Sequence, residues 1–158
     1  MKTTNKQLLT KINTKNQMKK QILLVTIIIG TLSANIANAQ WQQTGISGST
    51  VYCLASDGTN IFAGTYDDGV FLSANNGNSW TAINTGLPSN TMISALAISG
   101  TNILAGTYGG GMFLSSNNGS SWTAVNAGMT NLEIYSLAIS GTNIFSGTNG
   151  GVFMSGNN

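Results

Sequence analysis

The chain has 158 residues and a formal net charge of +2, yet all six of its cationic side chains are lysines that fall at or before Lys20. Beyond Lys20 the charged residues are Asp57, Asp67, Asp68 and Glu133, and the sequence has no histidine. A body without Lys or Arg cannot neutralise phosphates, which excludes nucleic-acid binding, and without His it lacks the side chain that most readily serves as a general base near neutral pH.

The lysines belong to a leader. Lys19 and Lys20 precede an apolar run over residues 22–32, and Ala37-Asn38-Ala39 follows. A positive segment, an apolar stretch and a small-x-small site together form the pattern of a secretory signal peptide. The run falls short of the about 20 apolar residues that a transmembrane helix needs. Cleavage is therefore expected between Ala39 and Gln40, giving a secreted or cell-surface product with no membrane span. Residues 1–17 are polar and without hydrophobic period, and Met18 is the expected functional start. Residues 1–39 are set apart from the folded part, residues 40–158.

The folded part is repetitive. Residues 41–46, Trp41-Gln42-Gln43-Thr44-Gly45-Ile46, read as a strand and as a degenerate copy of the stretch that begins Trp80-Thr81-Ala82-Ile83. Units over residues 51–92, 93–133 and 134–158 then align, with Leu54, Leu96 and Leu137 coinciding, and likewise Gly64, Gly106 and Gly147. The spacing is 42 residues, then 41. In the first unit, residues 51–56, 61–66, 70–73 and 80–84 are rich in β-branched and aromatic side chains. Clusters of Gly, Asn, Asp and Ser separate them, which predicts four short antiparallel strands per unit. No segment after the leader carries a helical period. In the second unit Leu96 and Ile98 share a strand face with Ser94, and Ile93, Ala95 and Ala97 line the other. A strand apolar on both faces fits a blade sandwiched between neighbours. The fold class expected is all-β: a β-propeller of four-stranded antiparallel blades about 42 residues long, with a parallel β-helix as the runner-up. Cys53, the single cysteine, aligns with Ala95 and Ser136, so this position reads as a tight packing site.

Within each unit one stretch stands out, Ser73-Ala74-Asn75-Asn76-Gly77-Asn78-Ser79-Trp80, which returns as Ser115-Ser116-Asn117-Asn118-Gly119-Ser120-Ser121-Trp122 and begins again at Ser155. It resembles the Asp-box, the Ser-x-Asp-x-Gly-x-Thr-Trp repeat of sialidases (BNR repeats) and other secreted propellers. Ser73, Gly77, Trp80, Ser115, Gly119 and Trp122 match, while Asn75 and Asn117 replace the Asp and Ser79 and Ser121 replace the Thr. The resemblance implies a hairpin between strands three and four whose polar side chains satisfy turn amides and whose Trp packs between blades. Ser73, Asn75, Gly77, Trp80, Ser115, Asn117, Gly119 and Trp122 are expected to be structural.

The same resemblance suggests glycoside hydrolysis, and the residues argue against it. Sialidases hold a carboxylate with arginines, and beyond Lys20 there are none. Glycosidases in general need two carboxyl groups across the scissile bond, and only four carboxylates exist in the chain. Asp57 reads as a turn residue. Asp67 and Asp68 could supply part of a calcium site, but no loop offers the six or more oxygen ligands required. No enzyme activity, cofactor or metal is expected. Glu133 lies in a connection between units with no evident partner. Loops joining strands two and three, and those leading into the next unit, emerge on one face. That face carries Tyr66, Asp67, Asp68, Tyr108 and Glu133, together with Gly109, Gly110, Asn149 and Gly150. These form the candidate ligand face, suited to a glycan or a protein segment. The expected function is a secreted, non-catalytic binding scaffold. The alternative is a fragment of a larger extracellular glycosidase of sialidase or xyloglucanase type, and assembly-factor and sorting-receptor propellers are also similar. Three units fall below the about four to eight blades of a propeller, so the chain reads as part of a longer array, or as one that completes itself by self-association.

Overall fold

The structure is a computed structural model that describes residues 13, 15–17 and 40–156. It divides into two compact units, Met1–Gln42 and Gln43–Asn158. In the first, residues 13 and 15–17 are helical; the expected signal peptide otherwise lies outside the described residues, as do Asn157 and Asn158. Among the described residues no helix is long and apolar enough to cross a membrane.

The second unit contains eleven strands among its described residues, arranged as three antiparallel sheets. The first sheet is β1 (Val51–Ser56), β2 (Ile61–Thr65), β3 (Val70–Ser73) and β4 (Thr81–Ala82), side by side in that order. The second repeats it with β5 (Ile93–Ser99), β6 (Asn102–Thr107), β7 (Gly111–Ser115) and β8 (Thr123–Ala124). β9 (Ile134–Ser140), β10 (Asn143–Thr148) and β11 (Gly151–Ser155) form the third, in which β11 pairs only with β10 among the described residues. β1 packs on β5 and β5 on β9, so each sheet is a blade whose first strand is innermost. This is the β-propeller that the repeat pattern predicts. Residues 41–46 form no strand, contrary to the sequence reading. Gln42 and Gln43 align with Thr81 and Ala82, which pair with Leu72 and Phe71 of β3, and among the described residues no such third strand lies before them in the chain.

Turn chemistry explains the strand ends. Between β1 and β2 the Asp57 carboxylate accepts from the backbone N–H groups of Thr59 and Asn60 at 2.8 and 2.7 Å, and from the Asn60 amide at 2.9 Å. The Asn60 contacts and the Thr59 N–H hold its carboxyl below the usual range, which marks Asp57 as the turn residue it was expected to be. β4 and β8 are shorter than predicted because their flanking residues have other work. Trp122 turns into the joint between blades. Asn84 bonds the neighbouring strand with its side chain, its Oδ1 accepting from Val70 N–H at 2.7 Å.

The core lies between the blades. Phe62 and Val70 of the first blade meet Ile93, Ile103, Ala105 and Phe113 of the second, and Trp122 closes the cluster at 4% exposure. The indole N–H of Trp122 donates to the Ile83 carbonyl at 2.6 Å, across the joint. Trp80 has a weaker counterpart, since its indole donates to Thr44 Oγ1 at 3.3 Å. Thr44 thus stands to Trp80 as Ile83 stands to Trp122, and the alignment of residues 41–46 with the end of a blade survives although the strand does not.

Nearer the axis each joint is a plug and a socket. A Cβ on Gly64 would lie 2.6 Å from Ile93 Cγ2, and one on Gly106 would lie 2.5 Å from Ile134 Cγ2. Ile93 and Ile134 are both fully buried. Cys53 lines the first socket, its thiol directed at the Ile93 carbonyl at 3.5 Å, and burial pushes it up to about 11. A thiol so protonated is a poor nucleophile, which agrees with the packing role read from its small counterparts. Among the described residues the central blade is covered on both faces. Val51 and Leu54 on one outer blade, and Val152 and Met154 on the other, are exposed.

Candidate functional site

The loops between second and third strands are built by side chains. Thr65, fully buried, donates its hydroxyl to the Gly69 carbonyl at 2.8 Å and accepts from Asp68 N–H at 3.1 Å. Thr107 does the same for Gly111 at 2.8 Å. From the outer side the Asn84 amide donates to the Asp68 carbonyl at 2.8 Å, and Asn126 to Gly110 at 3.1 Å. Asn84 and its loop touch because residue 69 is a glycine at φ 75°; a Cβ there would lie 2.4 Å from Asn84 Oδ1.

These braced loops bond to the connections that enter the first strands. Tyr66 N–H donates to Thr50 and Tyr108 N–H to Met92, both at 3.0 Å. Gly109 and Gly111 both donate to the Leu132 carbonyl, at 3.1 and 3.0 Å. Both sets of loops therefore share one end of the blades. Tyr66 and Tyr108 are about half exposed there.

Two further tyrosines, which sequence reasoning missed, join them. The ladder shifts register between Val51 and Cys53, leaving Tyr52 as the extra residue of a β-bulge; Tyr135 occupies the same position in β9. A bulge re-aims its extra side chain. Tyr52 accordingly stacks on Tyr66, with ring centroids 5.9 Å apart and planes at 28°, and Tyr135 meets Tyr108 at 6.0 Å and 50°. In β5 the bulge residue is Ser94, whose hydroxyl donates to the carbonyls of Gly106 in its own blade and Ile134 in the next. The signal in the sequence was the alternation Tyr, Ser, Tyr at one repeat position.

The carboxylates are placed as follows. Glu133 has a partner after all, because the Tyr135 hydroxyl donates to its Oε2 at 3.3 Å and its backbone bridges to Tyr108. Partial desolvation, and then the Glu133 charge, push the Tyr135 phenol above its ordinary value, so it stays a donor at physiological pH. Asp68 accepts from the Ser49 hydroxyl, and Asp67 is exposed beside it. Among the described residues no three His, Cys, Asp or Glu side chains gather into a metal-binding group. The face offers aromatic surface and hydrogen-bond acceptors, and no described cation.

The Ser-x-Asn-x-Gly-x-Ser turns join the third strands to the fourth. Ser115 Oγ accepts from Gly119 N–H at 2.8 Å and donates to Asn117 Oδ1 at 2.8 Å, and that oxygen accepts from Ser121 N–H at 3.0 Å. Ser73, Asn75, Gly77 and Ser79 repeat the pattern at 2.8, 3.0 and 2.9 Å. Gly77 and Gly119 adopt φ 84° and 86°. The Ser and Asn side chains of the pattern thus bond to one another and to turn amides of their own hairpin. Ser115→Ala is expected to lower stability by about 1–3 kcal/mol, because it leaves the Gly119 N–H, in a buried residue, without an acceptor. Urea unfolding followed by circular dichroism would measure the loss.

Three solved structures illustrate the likeness. An ancestral GH74 enzyme is 27% identical at a TM-score of 0.60, covering 74% of this chain and 18% of its own. YCF48 bound to D1 peptide is 13% identical at 0.58, covering 69% and 38%. The extracellular domain of BT4673 from B. thetaiotaomicron is 21% identical at 0.56, covering 73% and 16%. The chain thus spans well under half the length of each of these three. No curated protein matches it. The DUF6242 beta propeller domain matches residues 29–158, which include all three blades and both tyrosine pairs, and the chain belongs to that family.

Proposed function

We propose that the protein is a secreted, non-catalytic propeller scaffold that binds a glycan or a protein segment on its tyrosine-lined face, and that its Ser-x-Asn-x-Gly-x-Ser-Trp hairpins are Asp-box turns. The observation that carries this reading is the pairing of Tyr52 with Tyr66 and of Tyr108 with Tyr135, all about half exposed at one end of the blades. Exposed rings held rigid by bulges and braced loops give contact area at little entropic cost, and tyrosine is enriched where proteins bind. A peptide-bound propeller among the structural neighbours is in keeping with it. Asp68 and Glu133 each accept a hydroxyl from a neighbouring side chain, which suits positioning rather than acid–base chemistry. A second reading, part of a larger extracellular glycosidase, rests on the likeness to the ancestral GH74 enzyme.

A glycan array and a peptide library, run beside an assay for reducing-end release, separate the two. Binding without turnover is expected. Tyr66→Ala or Tyr135→Ala should weaken whatever binds by about 30-fold, the equivalent of about 2 kcal/mol for a central aromatic contact. Hydrolysis by this chain would refute the scaffold reading.

A further inference from the structure

Charge is distributed unevenly between the two ends of the blades. Beyond Lys20 the sequence holds four carboxylate side chains and no Lys, Arg or His. At the end that carries the β1–β2 turn, Asp57 engages its carboxylate with donors of its own turn. The hairpins after the third strands share that end, and they use the neutral Asn75 and Asn117. Asp67, Asp68 and Glu133 stand at the other end, among the four tyrosines. That end is therefore both aromatic and negative, with no described cation beside it.

The joint between the second and third blades builds the tighter cluster. Glu133 is fixed by its backbone: its N–H donates to Asn131 Oδ1 at 2.9 Å, and it bridges to Tyr108. The preceding Leu132 carbonyl receives the Gly109 and Gly111 N–H groups of the second blade. On the other side Asn131 abuts the loop of the third blade, where a Cβ on Gly150 would lie 3.4 Å from Asn131 Cβ. Loops of both blades thus hold the carboxylate in place. Its Oε2 accepts from the Tyr135 hydroxyl at 3.3 Å, and among the described residues no other side chain donates to it. The rings of Tyr108 and Tyr135, with centroids 6.0 Å apart and planes at 50°, stand beside it. A phenol that donates to a carboxylate gains electron density in its ring, and the negative face of an aromatic ring attracts cations. A carboxylate next to ring faces matches the guanidinium group, which is flat enough to stack on a ring and forked to bond a carboxylate. A neutral sugar would use the rings but leave the carboxylates unbalanced.

Given the binding role proposed for this face, we infer that its partner is a protein segment bearing arginine, whose guanidinium lies against Tyr108 and Tyr135 and pairs with Glu133. A segment fits better than a free small cation because the chemistry recurs on the first blade. There Tyr52 stacks on Tyr66 at 5.9 Å, and Asp67 and Asp68 follow Tyr66 in the same loop. An extended chain with more than one basic residue can use both clusters, and exposed Leu132 adds apolar contact next to Glu133. The three carboxylates also favour the approach of a cationic partner.

An array of short random peptides, blocked at both ends and probed with the full chain, tests this. Bound peptides should be enriched in arginine. Replacing that arginine by citrulline, which keeps the shape and removes the charge, should weaken binding at least about tenfold. Glu133→Gln should weaken the same peptide by about fivefold or more. Asp57→Asn removes equal charge from the other end and should leave the affinity unchanged. Circular dichroism and melting should show both variants folded. Bound peptides without arginine enrichment, or glycans bound in place of peptides, would overturn the inference and leave the scaffold reading standing. Equal losses in Glu133→Gln and Asp57→Asn would also overturn it, since general charge attraction would then explain the binding. Binding of neither peptide nor glycan would overturn both readings.

Discussion

Trp122→Ala is expected to cost about 3–5 kcal/mol, the range for removing a buried aromatic side chain that leaves a cavity. Trp122 is the largest member of the cluster between the first two blades, and its indole N–H bonds across the joint to Ile83 at 2.6 Å. Its backbone N–H bonds to Thr85 at 2.8 Å, so the hairpin is fixed over the joint at two points. The substitution should lower the urea midpoint and leave the far-ultraviolet dichroism of the folded state unchanged. Trp122→Phe keeps most of the ring burial but not the hydrogen bond, and should fall between alanine and the native protein. Trp80→Ala should cost less, since Trp80 is only half buried and its bond to Thr44 is long at 3.3 Å. Equal losses at Trp80 and Trp122 would show that the joint is not where the stability resides.

Gly106→Ala is expected to destabilise by about 1–3 kcal/mol, the usual cost of forcing a methyl into a packed interior. The new Cβ would lie 2.5 Å from Ile134 Cγ2 and 3.0 Å from Ile134 Cβ, and Ile134 is fully buried. Gly106 is not among the glycines with positive φ, so backbone strain does not enter and the effect is a direct measure of the socket. Combining it with Ile134→Ala should recover part of the loss. The double variant would then be more stable than the sum of the singles predicts, by about 1 kcal/mol as contacting pairs usually are. Gly147→Ala is the control: the atom nearest its Cβ is the hydroxyl of Ser136 at 2.4 Å, a rotatable group. It should cost less. Strict additivity at Gly106 and Ile134 would mean that the two residues do not share a joint.

Much of the architecture was legible because it repeats. β1 and β3 match their predicted bounds, since β-branched and aromatic runs between Asn, Asp and Gly turns leave the backbone little choice. β4 was overestimated because Trp80 and Asn84 have strand-forming neighbours but use their side chains for the joint and the loop brace. Composition shows a residue's propensity and not its tertiary partner. Residues 41–46 were read as a strand because they align with one, yet a strand needs a neighbour to pair with, and no local pattern supplies that. For the candidate site, Tyr66 and Tyr108 were found through their loop position. Tyr52 and Tyr135 were missed because a bulge is a property of the ladder, visible only when both strands are aligned. Glu133 looked isolated for the same reason, its partner being Tyr135.

Each blade carries both halves of its seam, an aliphatic plug at the start of the first strand and a glycine socket in the second. Val51 with Gly64, Ile93 with Gly106, and Ile134 with Gly147 are the three instances. A tandem duplication of one unit in the gene therefore brings a working seam with it, and no compensating substitution is needed on either side. Blade number can change in a single genetic event, while drift at the plug or the glycine is penalised at once. Exposed loop positions that take no part in the joint or the loop braces, such as Asp67, carry no such constraint, and they are where copies of the unit are free to diverge.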